Sequence, residues 1–307
     1  MKHFLLKLIS FLVPFFILIF SSIFIPPTPR VTKSYIFGKI KKDSLLKNVP
    51  PPRIIFIGGS NLSFGINSKL IKDSLGLNPI NTGIAGNIGL IFMLDNTLPY
   101  IQSGDIVIVS PEYDHFFDRY AYGSEELLRT ILDVSHDEWR MLKKEQYVNI
   151  FPYFIKYAVS KIMPSEYFNV KEVALYGVNS FNEYGDVNKH WKMEKPSLPF
   201  STGISGQFNY SVVDELWKFR DKVVQKNAIL FIAYPGIQAS SFENSKTQIM
   251  QVASELKKKG FSLLGSPERY MMPESLVFDT AYHLTENGAN YRTNLFIEDL
   301  KELINLK

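Results

Sequence analysis

The sequence predicts a three-layer α/β/α protein in which helices cover both faces of a mostly parallel, flavodoxin-like sheet of about five strands, with an inserted, largely helical subdomain. Three observations favour this fold. Short apolar runs of strand length alternate with longer amphipathic stretches, as in parallel sheets with helical crossovers. Glycine-rich or polar turns follow several of these runs, at the strand ends where such sheets bind ligands. The chain has 307 residues, 46% of them hydrophobic, enough for a substantial core.

The composition excludes several classes of protein. Charged residues make up 21% of the chain, an ordinary share for a globular protein, so a disordered or fibrous chain is excluded. The absence of cysteine excludes a disulfide scaffold, a cysteine nucleophile and a thiolate metal site. No two of the five histidines have the spacing of metal ligands, so we expect neither a metal nor another cofactor.

The formal net charge of +4 is unevenly distributed. Residues 1–42 contain seven lysines and arginines and no acidic residue. Subtracting these seven from the 34 basic residues leaves 27 basic against 30 acidic residues in the rest of the chain, a balance of −3. Because phosphate binding needs a basic surface, this mildly acidic main body argues against nucleic acid as a partner.

The first element in chain order is an apolar segment. Leu8 to Ile25 is a run of eighteen residues without a charge. At about 1.5 Å per residue, a helix of this length spans roughly 27 Å, most of a bilayer core. A cleaved signal peptide is the competing interpretation, but the small-residue pattern expected before a cleavage site is missing and two prolines follow the run. We therefore predict a transmembrane anchor at residues 1–25, with the lipid bilayer as a partner.

Residues 26–52 are predicted to be a linker. Three prolines stand at each end of it, and Lys39, Lys41 and Lys42 make its middle basic. Prolines at this density oppose a packed helix or a central strand. The basic residues could rest on anionic lipid headgroups, although a solvated spacer is the simpler interpretation.

The main domain is predicted to span residues 53–307. Its apolar runs predict strands at 53–57, 80–82, 105–109, 228–233 and 261–264. Its amphipathic patterns predict helices at 67–75, 87–102, 211–226, 240–258 and 286–305. The segment 111–210 is too long for a simple crossover, so it is predicted to form the helical subdomain or a lid over the carboxyl edge of the sheet.

Polar residues gather where the predicted strands end. Ser60 follows the first strand on a glycine-flanked turn, a placement that projects its hydroxyl from the sheet edge. The turn after the second strand contains Gly83 and Gly86, whose N–H groups could hold a developing oxyanion. Asp279 and His283 stand just before the last predicted helix. The remaining pocket candidates are Asn61, Asn87, Glu112, Asp114 and His115.

In order and content these motifs resemble the SGNH hydrolase superfamily of esterases and O-acyltransferases. The motif at residues 57–66, which begins Ile-Gly-Gly-Ser, and the motif at 278–288, which begins Phe-Asp, are most similar to one branch of it. That branch is membrane-anchored and acylates cell-envelope polysaccharides and teichoic acids. The resemblance covers about residues 53–110 and 211–305.

The resemblance implies a role for each matched residue. Ser60 is the implied nucleophile, His283 the general base, and Asp279 the residue that fixes the imidazole tautomer. The implied oxyanion donors are the backbone N–H of Ser60 with that of Gly83 or Gly86. The implied reaction is acyl transfer or ester hydrolysis, through an acyl-serine, on a cell-envelope or secreted polysaccharide. Acetyl is the expected group by family analogy.

The chain departs from the family pattern in three places. Gly59 stands where the family commonly has an acidic residue, and Glu112 or Tyr113 stands where it has an asparagine donor. An ionised Glu112 would repel an oxyanion. The separation of Asp279 and His283 is four positions, where three is commoner. The alternative is therefore a catalytically silent envelope accessory protein that binds glycan or a membrane-bound acyl-transfer protein. A nucleotide-binding module fits less well, because the third spaced glycine of that motif is missing.

The side of the membrane follows from the resemblance more than from charge. Five basic residues follow the apolar segment and two precede it, a balance that alone would place the domain in the cytoplasm. Long domains can be translocated regardless of flanking charge. We therefore predict a single-pass membrane protein whose large domain lies on the outer or periplasmic side.

Overall fold

The computed structural model describes residues 2–171, 173–197 and 203–305. The predicted domains also include residues 1, 172, 198–202, 306 and 307, which lie outside the described residues. In chain order the strands are β1 (Arg53–Gly58), β2 (Asn78–Asn81), β3 (Ile106–Ser110), β4 (Ile229–Ala233), β5 (Ile237–Gln238), β6 (Leu263–Leu264) and β7 (Met271–Met272). The helices are α1 (Lys2–Ser22), α2 (Pro29–Thr32), α3 (Gly38–Asn48), α4 (Ser60–Ser63), α5 (Ser68–Leu75), α6 (Leu90–Thr97), α7 (Glu125–Arg129), α8 (Lys144–Ile150), α9 (Phe154–Lys161), α10 (Tyr210–Gln225), α11 (Ala239–Asn244), α12 (Lys246–Lys259) and α13 (Glu286–Asn305).

A five-stranded parallel sheet forms the centre of the protein. Its strand order is β2-β1-β3-β4-β6, and every neighbouring pair is parallel. β1 aligns with β3 so that Gly58 lies beside Ser110, which brings the carboxyl ends of both strands to one edge. The order and the parallel pairing confirm the predicted flavodoxin-like α/β/α class.

Alternate residues of β1 enter two separate cores, because successive side chains of a strand point to opposite faces. Ile54 and Phe56 pack with residues of α5 and α13 on one face. Ile55 and Ile57 pack with residues of α6, α10 and α12 on the other. The whole of β1 is buried, as expected of a strand with helices on both faces. The turn that follows β1 is therefore held by a packed layer above and below it.

The five predicted strands lie within two residues of observed strands, but two predicted helices differ. The helix predicted at 87–102 is restricted to α6, because Gly89 has a φ of 92° and Pro99 follows the helix. The helix predicted at 240–258 is divided at Ser245 into α11 and α12. The Ser245 hydroxyl accepts a hydrogen bond from the Ile204 N–H at 2.8 Å, which ties this break to the neighbouring loop.

The segment 26–52 is more ordered than the prediction of a linker without packed structure. α3 is a packed helix in which Lys42 and Leu46 are buried. The prolines stand only at the two ends of the segment, so residues 30–49 are free to form helical hydrogen bonds. The expectation that the prolines prevent a packed helix is therefore wrong for residues 38–48.

α1 is long and apolar enough to cross a membrane, as an anchor or a signal sequence would be. Most of its described side chains are exposed, and its last turn packs on the domain, where Ile19 and Ser22 are buried. The Ser22 hydroxyl donates to the Ala158 carbonyl of α9 at 2.7 Å. The predicted insertion at 111–210, as far as it is described, contains α7, α8 and α9 joined by short 3₁₀ and π turns.

Candidate active site

Ser60 lies at the carboxyl edge of the sheet, where it begins α4 two residues after β1 ends. The two positions before Ser60 require glycine. A side chain at Gly58 would overlap the backbone of β3, and one at Gly59 would overlap the Glu112 carboxylate. The glycines thus allow the chain to turn sharply against its neighbours and to present the serine hydroxyl at the sheet edge.

The Arg292 side chain, from α13, holds this turn through hydrogen bonds. Its guanidinium donates to the Asn61 carbonyl at 2.7 Å and to the Ser110 hydroxyl at 3.0 Å. Asn61, also buried, donates its side-chain amide to the Ser110 carbonyl at 3.1 Å. Burial lowers the pKa of Arg292 to about 10, so it stays charged at neutral pH. Asn61 therefore braces the turn and does not line the cavity described below.

Asp279 and His283 form a close pair on the opposite side of the site. Asp279 Oδ1 lies 2.7 Å from His283 Nδ1. The loop that separates them is closed by the Phe278 N–H, which donates to the His283 carbonyl at 2.7 Å. The Phe64 ring stacks on the imidazole with 4.0 Å between ring centroids and 9° between their planes. The four-residue spacing therefore brings the carboxylate and the imidazole together, and packing fixes the ring.

The hydrogen bonds at Asp279 determine which imidazole nitrogen carries a proton. Burial would raise the pKa of Asp279, but hydrogen bonds from His283 and Tyr176 and the charge of the imidazolium outweigh it and lower the pKa. The Tyr176 hydroxyl donates to Asp279 Oδ2, and burial together with this bond raises the pKa of Tyr176. An ionised carboxylate only accepts, so the proton of the neutral imidazole stands on Nδ1. Nε2 is left as the basic nitrogen, with no hydrogen-bond partner among the described residues.

Ser60 and His283 line the same cavity, whose volume is about 470 Å³. Its other walls are mostly apolar and aromatic and include residues of the insertion. Among them are Tyr35, Ile84, Tyr120, Leu175, Phe181 and Tyr282. A concave, largely apolar site with a few polar groups at its base is typical of a small-molecule or substrate pocket.

The Ser60 hydroxyl is hydrogen-bonded to a group other than the imidazole. It donates to Glu112 Oε1 at 3.2 Å, and the same oxygen accepts the Asn61 N–H at 3.2 Å. Among the described residues no hydrogen bond joins Ser60 to His283. The Glu112 carboxylate is buried and lies against Gly59 and Gly86, close to the turns whose N–H groups are predicted to hold an oxyanion.

The two predicted glycine donors have different surroundings. The Gly83 N–H donates to Asn81 Oδ1 at 3.0 Å, so the structure differs from the prediction that it faces a substrate. The Gly83 carbonyl accepts from buried Lys42 at 2.6 Å, and Lys42 also donates to the Asn81 and Gly185 carbonyls. Gly86 lines the cavity. Of the two predicted glycines, Gly86 is the one that the structure places at the site.

Of the remaining pocket candidates, two line the cavity and one lies behind its wall. Asn87 and Asp114 line the cavity, and Asp114 Oδ2 accepts the Tyr282 hydroxyl at 2.8 Å. His115 is fully buried behind the wall, with its ring nitrogens 2.9 Å from the Gly86 carbonyl and 3.2 Å from the Glu112 carbonyl. Among residues 2–171, 173–197 and 203–305, no three acidic or histidine side chains form a group that could hold a metal ion.

Comparison with known proteins leaves the family open. No protein-family model matches the chain, and no curated protein matches it by sequence. A crystal structure of protein YxiM from Bacillus subtilis is similar over 82% of this chain, with 13% sequence identity and a TM-score of 0.37. The alignment covers 57% of that structure, so this chain spans a little over half the length of the protein it matches.

Three residues that carry the site's geometry were not identified from the sequence. They are Tyr176, which holds Asp279, Arg292, which holds the serine turn, and Lys42, which holds the Gly83 loop. Each acts on a partner far away in the chain. Of the three, Arg292 could have been identified from the sequence. It stands in the helix that follows the Asp279/His283 motif, which places it close to the carboxyl edge of the sheet.

Proposed function

We propose that this protein is a serine-dependent esterase or O-acyltransferase that acts on a cell-envelope or secreted polysaccharide through an acyl-serine intermediate. The observation that carries the proposal is the 2.7 Å bond between Asp279 and His283 in the same cavity as Ser60, at the carboxyl edge of a parallel sheet. The site thus holds a nucleophile, a base and a group that orients the base.

The proposed reaction has two halves. In the first, the Ser60 oxygen attacks the ester carbonyl while His283 Nε2 accepts the hydroxyl proton, and the imidazolium then protonates the departing alcohol. In the second, water or a sugar hydroxyl gives its proton to Nε2 and attacks the acyl-serine, and the proton returns to Ser60. Asp279 stabilises the imidazolium in both halves. The reaction requires the Ser60 hydroxyl to turn from Glu112 to His283, and the Glu112 side chain to move away when the oxyanion forms.

The substrate and the location are proposed on different grounds. The polysaccharide substrate rests on the resemblance of the motifs at 57–66 and 278–288 to envelope acyltransferases. Tyrosines on the cavity wall support it, because aromatic rings stack on sugars. α1 supports a single-pass anchor, and we propose that the domain at 53–307 lies on the outer or periplasmic side. A membrane-bound acyl-transfer protein is the proposed donor partner.

One observation favours the alternative of a silent accessory protein. The Ser60 hydroxyl donates to a carboxylate that also accepts the next backbone N–H of the serine turn, close to the proposed oxyanion position. In that case the cavity binds a glycan without cleaving an ester, or the domain assembles with a membrane-bound acyl-transfer protein.

A serine-directed fluorophosphonate separates the two functions. We expect the full chain in detergent to gain one phosphonyl group on Ser60, identified by peptide mass spectrometry, because His283 activates this hydroxyl. Ser60→Ala should abolish the modification, while Ser74→Ala, which changes an exposed serine of α5, should not. Equal labelling of the Ser60→Ala variant and the unmodified protein, or labelling of neither, would support the silent function.

A further inference from the structure

An apolar patch surrounds the point where α1 joins the domain. Several large apolar side chains on and around α9 are exposed, with Phe151 at 74%, Ile155 at 62% and Phe168 at 70% of their full surface. Ile162 and Met163, just after α9, are also exposed. Soluble surfaces seldom carry large contiguous apolar patches unless they bind something. We call Phe151, Ile155, Ile162, Met163 and Phe168 the α9 patch.

The α9 patch is continuous with the contact that seats α1. Ile155 lies within α9, Phe151 lies in the 3₁₀ turn that leads into α9, and Ile162 follows its last residue. Ala158 stands three positions after Ile155, so the two are neighbours on the surface of α9, and the Ala158 carbonyl accepts the Ser22 hydroxyl of α1. The exposed residues therefore lie on both sides of the seat of α1 along α9.

Several hydrogen bonds fix this arrangement. The buried Lys161 ammonium donates to the Ile25 and Pro26 carbonyls at 3.1 and 3.2 Å, and it pairs with buried Asp133. The Arg30 guanidinium donates to the Ser165 carbonyl at 2.7 Å, which holds the turn before Phe168 to the segment that leaves α1. The end of α1 is thus attached firmly to α9 and to the turn that follows it.

The position of α1 on the domain indicates what the α9 patch faces. Among its described side chains, those buried against the domain are in the last turn of α1, and most of the apolar side chains before that turn are exposed, as a membrane span requires. If α1 crosses a bilayer, the surface at its end lies at the level of the lipid headgroups. Exposed Lys156 and partly exposed Tyr167 border the patch, and lysine and tyrosine are side chains that favour the membrane interface.

We propose that the α9 patch inserts into the interfacial layer of the bilayer and holds the domain against the membrane from which α1 emerges. This inference rests on the proposed membrane anchor and goes beyond it, because it assigns a second, separate lipid contact to the folded domain. The occupant is a lipid surface, since the patch is continuous with the seat of the proposed transmembrane helix and is apolar at its centre with lysine at its edge.

The absence of cysteine makes a direct test straightforward. Single cysteines are introduced by Leu18→Cys in α1, by Phe151→Cys and Ile155→Cys in the patch, and by Tyr291→Cys on exposed α13 as the control. Each full-chain variant is labelled with an environment-sensitive fluorophore and reconstituted into phosphatidylcholine vesicles. The emission is compared between ordinary lipid and lipid brominated in its acyl chains. We expect about twofold quenching at positions 18, 151 and 155 and none at 291.

The outcomes separate the patch from the anchor. Quenching at position 18 with none at 151 and 155 would overturn the patch and leave the anchor intact. No quenching at position 18 would overturn the anchor and the patch with it. Disulfide-linked dimers of the Phe151→Cys variant before labelling, without lipid quenching afterwards, would assign the patch to a second copy of the chain and overturn the proposal. Unchanged thermal unfolding of each variant in detergent establishes that the substitutions leave the fold intact.

Discussion

The two sides of the cavity are organised differently. On one side the His283 ring is held by Asp279 at 2.7 Å, by the stacked Phe64 ring and by Tyr176 through the carboxylate. On the other side the Ser60 hydroxyl donates to Glu112, and the same carboxylate oxygen accepts the Asn61 N–H of the serine turn. The imidazole is thus oriented by its partners, whereas the serine hydroxyl is bonded to a side chain other than the proposed base.

The difference shows that an ordered pair of carboxylate and imidazole does not by itself orient a serine hydroxyl in the same cavity. The base side depends on local contacts within residues 278–284, on Tyr176 from the insertion and on Phe64, which follows the serine turn. The nucleophile side depends on how three strand ends meet, and there one glutamate changes the electrostatics. The predictions below test each side in turn.

The largest expected effect is the loss of the base. His283→Ala removes the group that accepts the Ser60 proton, so we expect the rate of fluorophosphonate labelling to fall by about 10²–10⁴-fold. The labelling rate is measured from the time course of protein mass. His136→Ala, which changes an exposed histidine, is the control and should leave the rate unchanged. An unaltered rate in the His283→Ala variant would show that the base side does not act on Ser60.

An opposite effect is expected at the nucleophile side. Glu112→Gln replaces the carboxylate with a neutral amide that can donate to an oxyanion, so we expect the labelling rate to rise by about 10-fold or more. Asp114→Asn is the matched control, because Asp114 also lines the cavity but accepts from Tyr282 and not from Ser60. A fall in the rate of the Glu112→Gln variant would indicate that the carboxylate assists Ser60 as a base.

The smallest expected effect concerns stability against pH. The pKa of Asp279 is lowered in the folded protein, so the carboxylate contributes stability that is present above its ordinary pKa and is lost as pH falls through the folded value. Asp279→Asn removes this contribution. We therefore expect the urea midpoint of the variant in detergent to fall less than that of the unmodified protein between about pH 5 and pH 3. Parallel midpoints over this range would show that Asp279 is not stabilised by its partners.

The fold could be predicted from the sequence where the physical signal is local. β1, β3 and β4 are apolar runs buried in the sheet, and the Ser60 turn and the Asp279/His283 loop are short motifs. α3 was missed because the density of prolines was considered without their position at the ends of the segment. Tyr176 could not be predicted, since its contact with Asp279 joins parts of the chain 103 residues apart. The sequence also could not predict that the Ser60 hydroxyl bonds to Glu112 instead of His283, because this depends on how separate strand ends meet.

The central claim is that Ser60 and His283 act on the same bond within one cavity, and the structure of the phosphonyl adduct tests it most directly. We predict that the phosphorus is bonded to Ser60 Oγ, that His283 Nε2 lies within about 3–3.5 Å of an adduct oxygen, and that the Glu112 carboxylate has moved from the serine turn. An adduct on Ser60 that points away from His283, with Glu112 still hydrogen-bonded to the Asn61 N–H, would contradict the account.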